Sequence, residues 1–409
     1  RDSLSLSLSS LSSHLVHSFS LSLSLCLYTF AFGSSSLLVP LTFRFLTFFH
    51  LFITITRFKD LRCRNKPLTK KMGKLPPVYP NGWFALLESS QLKVGQVKHV
   101  SALGENFAVF RYKGIVNVLD AYCPHLGANM GEGGRVRGDC LECPFHKWLF
   151  RGDDGRCSVI PYSQQKVPTI AKTRAWKSCE VNQMIFVWYH AELVDPDWQL
   201  EHQEKILNGT WRYQGRNEFI INCHIQDIAE NGADLAHLGA PINKTMINVE
   251  SKSLSNGRTT HNSKNSYHVG KHRASMTLRH SLLLLDRFDM LELNVKVEQI
   301  GPGYVEMIVE TTFGNMFILQ TVTPIEPLVQ RICHFIFSPP LLAPYASIVF
   351  LGECVMFERD IAIWNHKKFE GRPVLVREDR PIAAYRKWYS QFYSENSPTY
   401  QNAVKSLQW

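Results

Sequence analysis

Charge is sparse in this sequence. Asp, Glu, Lys and Arg supply 20% of its 409 residues, against 45% apolar residues. That balance excludes a disordered chain and describes a globular protein long enough for two domains and a sizeable core. The ten cysteines follow no regular framework, which excludes a disulfide-stapled secreted module and fits thiols kept reduced. No Gly-rich loop follows a strand-like run, so the fingerprint that cradles a dinucleotide is missing. No methionine precedes Met72, and no small-residue cleavage site precedes the basic run that follows residue 56. The usual mark of a cleaved signal peptide is therefore missing as well.

The net charge of +10 is concentrated rather than spread. Between Arg57 and Lys74 stand eight Lys or Arg with only Asp60 against them, so seven of the ten excess charges sit in one flank. No nucleic-acid partner is expected from such a flank. Residues 1–36 alternate Ser and Leu, as a translated CT dinucleotide repeat would, and read as a low-complexity segment outside the functional protein. Residues 37–58 are mostly Leu, Phe, Thr and Ile, interrupted by Arg44 and His50, and approach the length that spans a bilayer. The basic run after them is what the positive-inside rule places in the cytoplasm. A transmembrane helix at 37–58 is expected, then a basic, Pro-rich linker over 59–82 whose Leu75–Gly82 stretch reads as a hinge.

What the sequence does have is a paired motif. Cys123-Pro124-His125-Leu126-Gly127 is answered, with 17 residues between His125 and Cys143, by Cys143-Pro144-Phe145-His146. Each half offers one thiolate and one imidazole, and the Gly-rich insert Gly131–Gly138 lets the halves fold back on each other. Cys-x-His followed by Cys-x-x-His is the ligand pattern of a Rieske centre, in which two Cys hold one iron and two His the other. Zinc is the competing reading, since short Cys and His pairs also serve as zinc ligands. Against zinc stand the unequal spacings and the proline after each cysteine. A Rieske [2Fe-2S] cluster would accept single electrons from a ferredoxin-like donor and pass them on. Cys140 and Cys157 have no His at ligand spacing and read as small buried residues.

Short β-rich runs surround the motif. Phe107–Tyr112 and Gly114–Leu119 are separated by the hairpin signal Lys113-Gly114, and a small all-β domain is expected over 83–190. Ala191–Gly209, with Pro196 and many charges, reads as a linker or exposed helix. Over 211–394 helix and strand patterns mix. A helix is expected at the later end of Asn222–Leu238, strands at Leu291–Val297, Tyr304–Thr312 and Phe317–Val322, and a long helix at Phe350–Phe369. This is an α+β domain with an antiparallel sheet and an apolar pocket between helix and sheet, lined by Leu282–Leu285 and Met307-Ile308-Val309. Residues 395–409 read as a tail.

A relay of electrons needs a destination. Glu230-Asn231-Gly232-Ala233-Asp234-Leu235-Ala236-His237 places Asp234 and His237 on one face of a helix. A further carboxylate is available from the late helix, in Glu358-Arg359-Asp360-Ile361-Ala362-Ile363-Trp364. Two His and one carboxylate leave open positions on ferrous iron for oxygen chemistry.

The Rieske pair followed by Asn-x-x-Asp-x-x-His, and later by Asp360 before Ile361 and Trp364, resembles the catalytic subunit of Rieske non-haem iron oxygenases. More closely, Leu75–Gly82, Gln299–Gly303, Thr323–Leu328, Glu358–Asn365 and Trp388–Tyr393 resemble the Neverland family of cholesterol 7-desaturases, over about Lys74 to Ser394. The resemblance implies conversion of cholesterol to 7-dehydrocholesterol with O2 and NAD(P)H, the entry step to ecdysteroid-type hormones. It also implies a membrane anchor, a separate ferredoxin or reductase donor and a homotrimer, with the endoplasmic reticulum as the expected location. It assigns Cys123, His125, Cys143 and His146 to the cluster, His237 and Asp360 to a mononuclear Fe(II), and to Asp234 the bridge from a neighbouring subunit's cluster.

One position departs from the family. A second iron His belongs five residues after His237, where this chain has Ile242, and Ile cannot bind a metal. His261, His268, His272 and His280 lie downstream and read as pocket or surface residues. Two readings follow: an active desaturase, or a non-catalytic Rieske protein that moves an electron or binds sterol without oxidising it.

Overall fold

The computed structural model describes residues 73–234, 247–255, 272–284 and 288–407, with side chains at 73–234, 272–277 and 293–407. The Ser/Leu segment, the apolar stretch 37–58 and most of the basic run lie outside the described residues, as do His237, Ile242, His261, His268 and Leu285.

The first part of the chain is all β. β1 (Gly82–Glu88), β2 (Val97–Ala102), β3 (Glu105–Tyr112), β4 (Ile115–Asp120), β5 (Arg135–Arg137), β6 (Cys140–Glu142), β7 (Leu149–Arg151), β8 (Cys157–Val159), β9 (Ala175–Trp176), β10 (Ser178–Val181) and β11 (Met184–Tyr189) follow in order. They form three antiparallel sheets, β1-β11-β10, β2-β3-β4-β9 and β5-β6-β7-β8. Lys113 and Gly114 both take left-handed φ, 46° and 85°. That is the type I′ turn whose twist suits a two-residue hairpin, here between β3 and β4. β3 is apolar without alternation because both its faces are buried. Phe107 and Val109 join a core shared with the second domain, while Ala108 and Phe110 join the core under the cluster loops.

The second part is one seven-stranded antiparallel sheet carrying helices. Its strands are β12 (Arg212–Asn222), β13 (Ile247–Ser255), β14 (Arg273–Leu284), β15 (Phe288–Ile300), β16 (Tyr304–Thr311), β17 (Gly314–Glu326) and β18 (Val329–Ser338), in the order β12-β18-β17-β16-β15-β14-β13. The helices are α1 (Glu204–Leu207), α2 (Ile225–Glu230), α3 (Ala343–Trp364), α4 (Arg380–Tyr389) and α5 (Tyr400–Ser406). The α+β expectation holds, with an all-β domain first. α3 starts seven residues before the expected Phe350, because Pro344 sits in its first turn, where a missing N–H costs nothing. It ends at Trp364 rather than Phe369, and the amides of His366 and Lys367 fold back onto Ile363. α3 packs on the sheet through Ala346 and Phe350, beside Val309, Met316, Ile318 and Ile336.

Three segments read as connections are packed into the fold instead. Within the Pro-rich stretch Val78, Tyr79 and Asn81 are buried, and the Val78 amide donates to Pro398 O at 3.0 Å. Within Ala191–Gly209, Trp198 packs against Trp188 and Phe392. The C-terminal segment carries α5, whose Ala403 enters the main core. Pro and charge content marks turns and surface, and it does not reveal how many apolar side chains between them are covered.

The domains meet along a seam with little free space. A Cβ on Gly303 would stand 2.6 Å from Val322 O and 2.8 Å from the Phe84 ring, so the turn between β15 and β16 approaches β1 as only glycine allows. At the same seam Tyr304 Oη donates to Glu306 Oε1 at 2.7 Å, and Asn182 Nδ2 donates to Tyr304 Oη at 2.8 Å. Burial pushes the Glu306 carboxyl up to about 7. A carboxyl raised in the folded state contributes stability fully present below its unfolded value near 4.5 and lost as pH rises to about 7. Stability measured by urea unfolding is therefore expected to fall by about 3 kcal/mol over that window, at 1.36 kcal/mol per pH unit. Glu306→Gln should abolish this dependence, and an unchanged slope in that variant would count against the buried carboxyl.

Candidate metal centres

Two loops of identical construction hold the paired motif. In each, the cysteine amide is bonded five residues ahead, Cys123 to Ala128 O at 2.9 Å and Cys143 to Trp148 O at 2.8 Å. In each, the cysteine carbonyl accepts from the fourth residue on, Gly127 at 2.9 Å and Lys147 at 3.2 Å. Both closing residues are left-handed, with φ of 73° and 60°. Gly127 adopts this without strain, while Lys147 is steadied by its ammonium donating to Pro144 O at 2.9 Å. The Gly-rich insert provides the β5-β6 hairpin that brings the loops together.

The four side chains converge as two pairs. The Nδ1 atoms of His125 and His146 face each other at 3.2 Å, close to the roughly 3.4 Å expected of two nitrogens bound tetrahedrally to one metal at ~2.1 Å. Cys123 and Cys143 are buried against each other, and burial first, then the Cys143 thiol, pushes Cys123 up to about 11. Two thiols so placed ionise together only beside a cation. Among the described residues no three His, Cys, Asp or Glu side chains converge on one point. A structural zinc ion needs four, whereas a two-iron cluster bridged by sulfide needs two protein ligands per iron, so the pairs fit the cluster. Trp148 stacks on His125 at 4.7 Å and donates to Tyr162 Oη at 3.0 Å, walling the imidazoles. Cys140 and Cys157 are buried nearby, the first in contact with Asp139 Oδ1 and Ser158 Oγ and the second donating to Val159 O.

The second site is built at the end of α2. The helix stops at Glu230 and tightens into a short 3-10 turn over Asn231–Ala233. Asp234 closes that turn with extended backbone, φ −91° and ψ 94°. Asp234 is therefore not on a helical face, contrary to the sequence expectation. Gly232 is the physical reason, since a mid-helix glycine forfeits backbone entropy and the turn shortens around it. Asp360, on α3, is brought to this turn across 129 residues, and Asn231 Nδ2 donates to Asp360 Oδ2 at 3.2 Å. The motif and the late helix thus share one site. His237, which the family resemblance assigns to the same site, lies outside the described residues.

The turn is fixed from behind. Arg386 on α4 grips Glu230 with two hydrogen bonds of 2.6 and 2.8 Å in a mostly buried pair. The aromatic run Trp388–Tyr393 packs beneath Ala233 with Tyr385. Breaking a buried pair leaves an uncompensated charge, so Arg386→Met is expected to cost about 3 kcal/mol of unfolding free energy. A loss below about 1 kcal/mol would show that the pair is solvated. Sequence reading missed this support because Glu230 and Arg386 are 156 residues apart and neither stands in a ligand-like pattern. His272 stacks on Trp198 at 5.1 Å. The expected pocket strand splits by its period of two: Val309 and Met307 face α3, and Ile308 faces the opposite core with Trp211 and Phe317.

Residues 82–175 match the model of the Rieske [2Fe-2S] domain, and residues 187–393 match that of the 3-ketosteroid 9alpha-hydroxylase C-terminal domain. In fold the chain is similar to NdmB of Pseudomonas putida CBB5, with a TM-score of 0.58 at 15% identity over 81% of this chain and 98% of that one. These features define a Rieske-type oxygenase. The chain is 46% identical to cholesterol 7-desaturase of Drosophila melanogaster, over 86% of this chain and 82% of the relative. It is 44% identical to that of Xenopus laevis, over 82% and 77%. The chain belongs to the cholesterol 7-desaturase family.

Proposed function

We propose that this chain converts cholesterol to 7-dehydrocholesterol within steroid hormone biosynthesis of the ecdysteroid type. The observation that carries the reading is the identity of 46% with a cholesterol 7-desaturase across both domains. Cys123 and Cys143 would hold one iron of the [2Fe-2S] cluster, His125 and His146 the other, and His237 and Asp360 the mononuclear iron. When bound, the cluster supplies single electrons and the iron activates oxygen. The chain's own residues do the rest. Asn231 orients the Asp360 carboxylate, and the Trp148 and Tyr162 wall shields the imidazoles.

Removing one hydrogen each from C7 and C8 is balanced by one O2, two electrons and two protons, giving two waters. The electrons originate in NAD(P)H and arrive through a separate ferredoxin or reductase, since the chain has no dinucleotide fingerprint. In a homotrimer, Asp234 would link the cluster imidazole of one subunit to the iron of the next. Asp234→Asn is then expected to keep the cluster spectrum and lose turnover, and normal product formation would refute the bridge. We place the protein at the endoplasmic reticulum membrane with both domains in the cytoplasm. The stretch 37–58 with its basic flank supports this, as does a substrate dissolved in lipid. Of the described helices, Pro340–Trp364 is long and apolar enough to cross a membrane, yet it lies on the sheet and carries Asp360.

Feeding cholesterol to cells that express the chain with a ferredoxin donor tests the reading, and 7-dehydrocholesterol is the expected product. Ile242 favours a second reading, a Rieske protein that binds sterol or moves electrons without oxidising. Its signature would be a reducible cluster, bound sterol and no product.

A further inference from the structure

A helix that rests on a sheet by one face is expected to turn polar residues outward. α4 does so, exposing Arg380 and Lys387. α3 does not. Its inward face runs through Ala346, Phe350, Phe357, Ile361 and Trp364. At ~100° per residue the opposite face runs through Pro344, Ile348, Gly352, Val355, Arg359 and Ile363. Arg359 is the one charge among those six, and no carboxylate stands with it. Glu353 turns inward instead, to His334 at 3.0 Å.

Val355 is 48% exposed and Ile363 59%. At the N-terminal end the strip broadens. Leu341, 95% exposed, precedes the helix, and Phe313, 64% exposed, stands in the turn between β16 and β17 with its ring 5.4 Å from that of Tyr345. Gly314 holds this turn against the start of α3, where a Cβ would stand 2.8 Å from the Leu342 side chain. Single exposed apolar side chains are ordinary, whereas a row at helical spacing with an aromatic at its end is a continuous strip of the kind that marks an interaction surface. At ~1.5 Å per residue the strip is roughly 30 Å long.

Where the chain enters the fold indicates what covers the strip. Gly73 and Lys74 run alongside the segment just past α3. A Cβ on Gly73 would collide with Phe369 O and meet Lys368 Cε at 3.2 Å, and a Cβ on Gly371 would stand 3.1 Å from Lys74 O. Fourteen residues separate Gly73 from Phe58, the end of the apolar stretch 37–58, a tether of at most about 50 Å. The eight Lys or Arg between Arg57 and Lys74 fall in this same stretch. An apolar strip that carries only positive charge, beside a basic tether, matches acyl chains under anionic headgroups. We propose that the outward face of α3, with Phe313 and Leu341, docks on the membrane surface, an inference that rests on the membrane placement above. The apolar side chains enter the headgroup boundary and Arg359 reaches lipid phosphates. The helix that carries Asp360 is thereby held against the phase in which a sterol dissolves.

The test is photocrosslinking of the full chain, its cluster loaded, in vesicles of phosphatidylcholine and phosphatidylserine. Phe313, Val355 and Ile363 are replaced singly by photoreactive benzoylphenylalanine, as is Ile170, a control that is 86% exposed in the all-β domain. Phospholipid adducts are expected at the first three positions and not at Ile170. Leu341→Asp combined with Val355→Asp should lower the adduct at Ile363 about 10-fold or more, since one apolar side chain lost from lipid is worth at least that factor. The double variant should still float with the vesicles, through the anchor expected at 37–58, and a retained cluster spectrum certifies it as folded. An unchanged adduct in the double variant overturns the surface, as do equal adducts at Ile170 or a floating chain with no lipid adduct. Crosslinks between two chains overturn it too, making the strip a contact between copies. A chain that does not float refutes the membrane placement and the surface together. Formation of 7-dehydrocholesterol without lipid adducts would refute the surface and leave the desaturase standing, and adducts without product would do the reverse.

Discussion

Ile242→His is expected to raise the mononuclear iron content of the purified protein from substoichiometric to near one per chain, and sterol turnover with it. In the proposed site His237 and Asp360 would hold that iron, and five residues after His237 stands a side chain with no lone pair. Even the loss of a residue that only orients a ligand costs about 10–100-fold in metal affinity, so a missing first ligand costs at least that much. Iron titration followed by desalting separates the cases. Wild type should release its mononuclear iron while Ile242→His retains it, with cluster iron and sulfide equal in both. Full retention by wild type would show that another side chain completes the site.

Cys143→Ser is expected to have the second large effect, complete loss of the cluster. Serine removes the thiolate on which one iron depends, and the Cys123 thiol, which burial already holds protonated, is left without its partner. The damage should extend to the loop, because Cys143 anchors its turn through Trp148 O and Lys147 N. Visible absorption and sulfide content should fall to background, and electron uptake from a donor with them. His146→Ala should lose the cluster too, since one imidazole of the facing pair goes. By contrast Cys140→Ser and Cys157→Ser should keep it. Loss of the cluster in those two would show that the buried pair is part of the centre.

The cluster was legible because all four side chains lie in two loops of five or six residues, and loop chemistry is local. Asp360 was legible as part of a motif, although its partner Asn231 emerged only when α3 and the turn after α2 met. The strand positions of β3, β4 and β15–β17 followed from apolar runs, while the start of α3 was missed because Pro344 is a start signal that an apolar count ignores. Asp234 was misplaced on a helix because spacing alone does not register what Gly232 does to a short helical turn. The Glu230–Arg386 pair had no local signature. It depends on two helices far apart in sequence, and each residue taken alone is an ordinary polar side chain.

The claim on which the rest depends is that electrons enter through a two-iron centre with mixed thiolate and imidazole ligands. Holoprotein purified without air and reduced with dithionite tests it most directly, by electron paramagnetic resonance with iron, sulfide and zinc analysis on the same sample. The expected result is a Rieske-type resonance with two irons and two sulfides per chain in the cluster, lost in Cys143→Ser. Stoichiometric tetrahedral zinc without sulfide or resonance would contradict it.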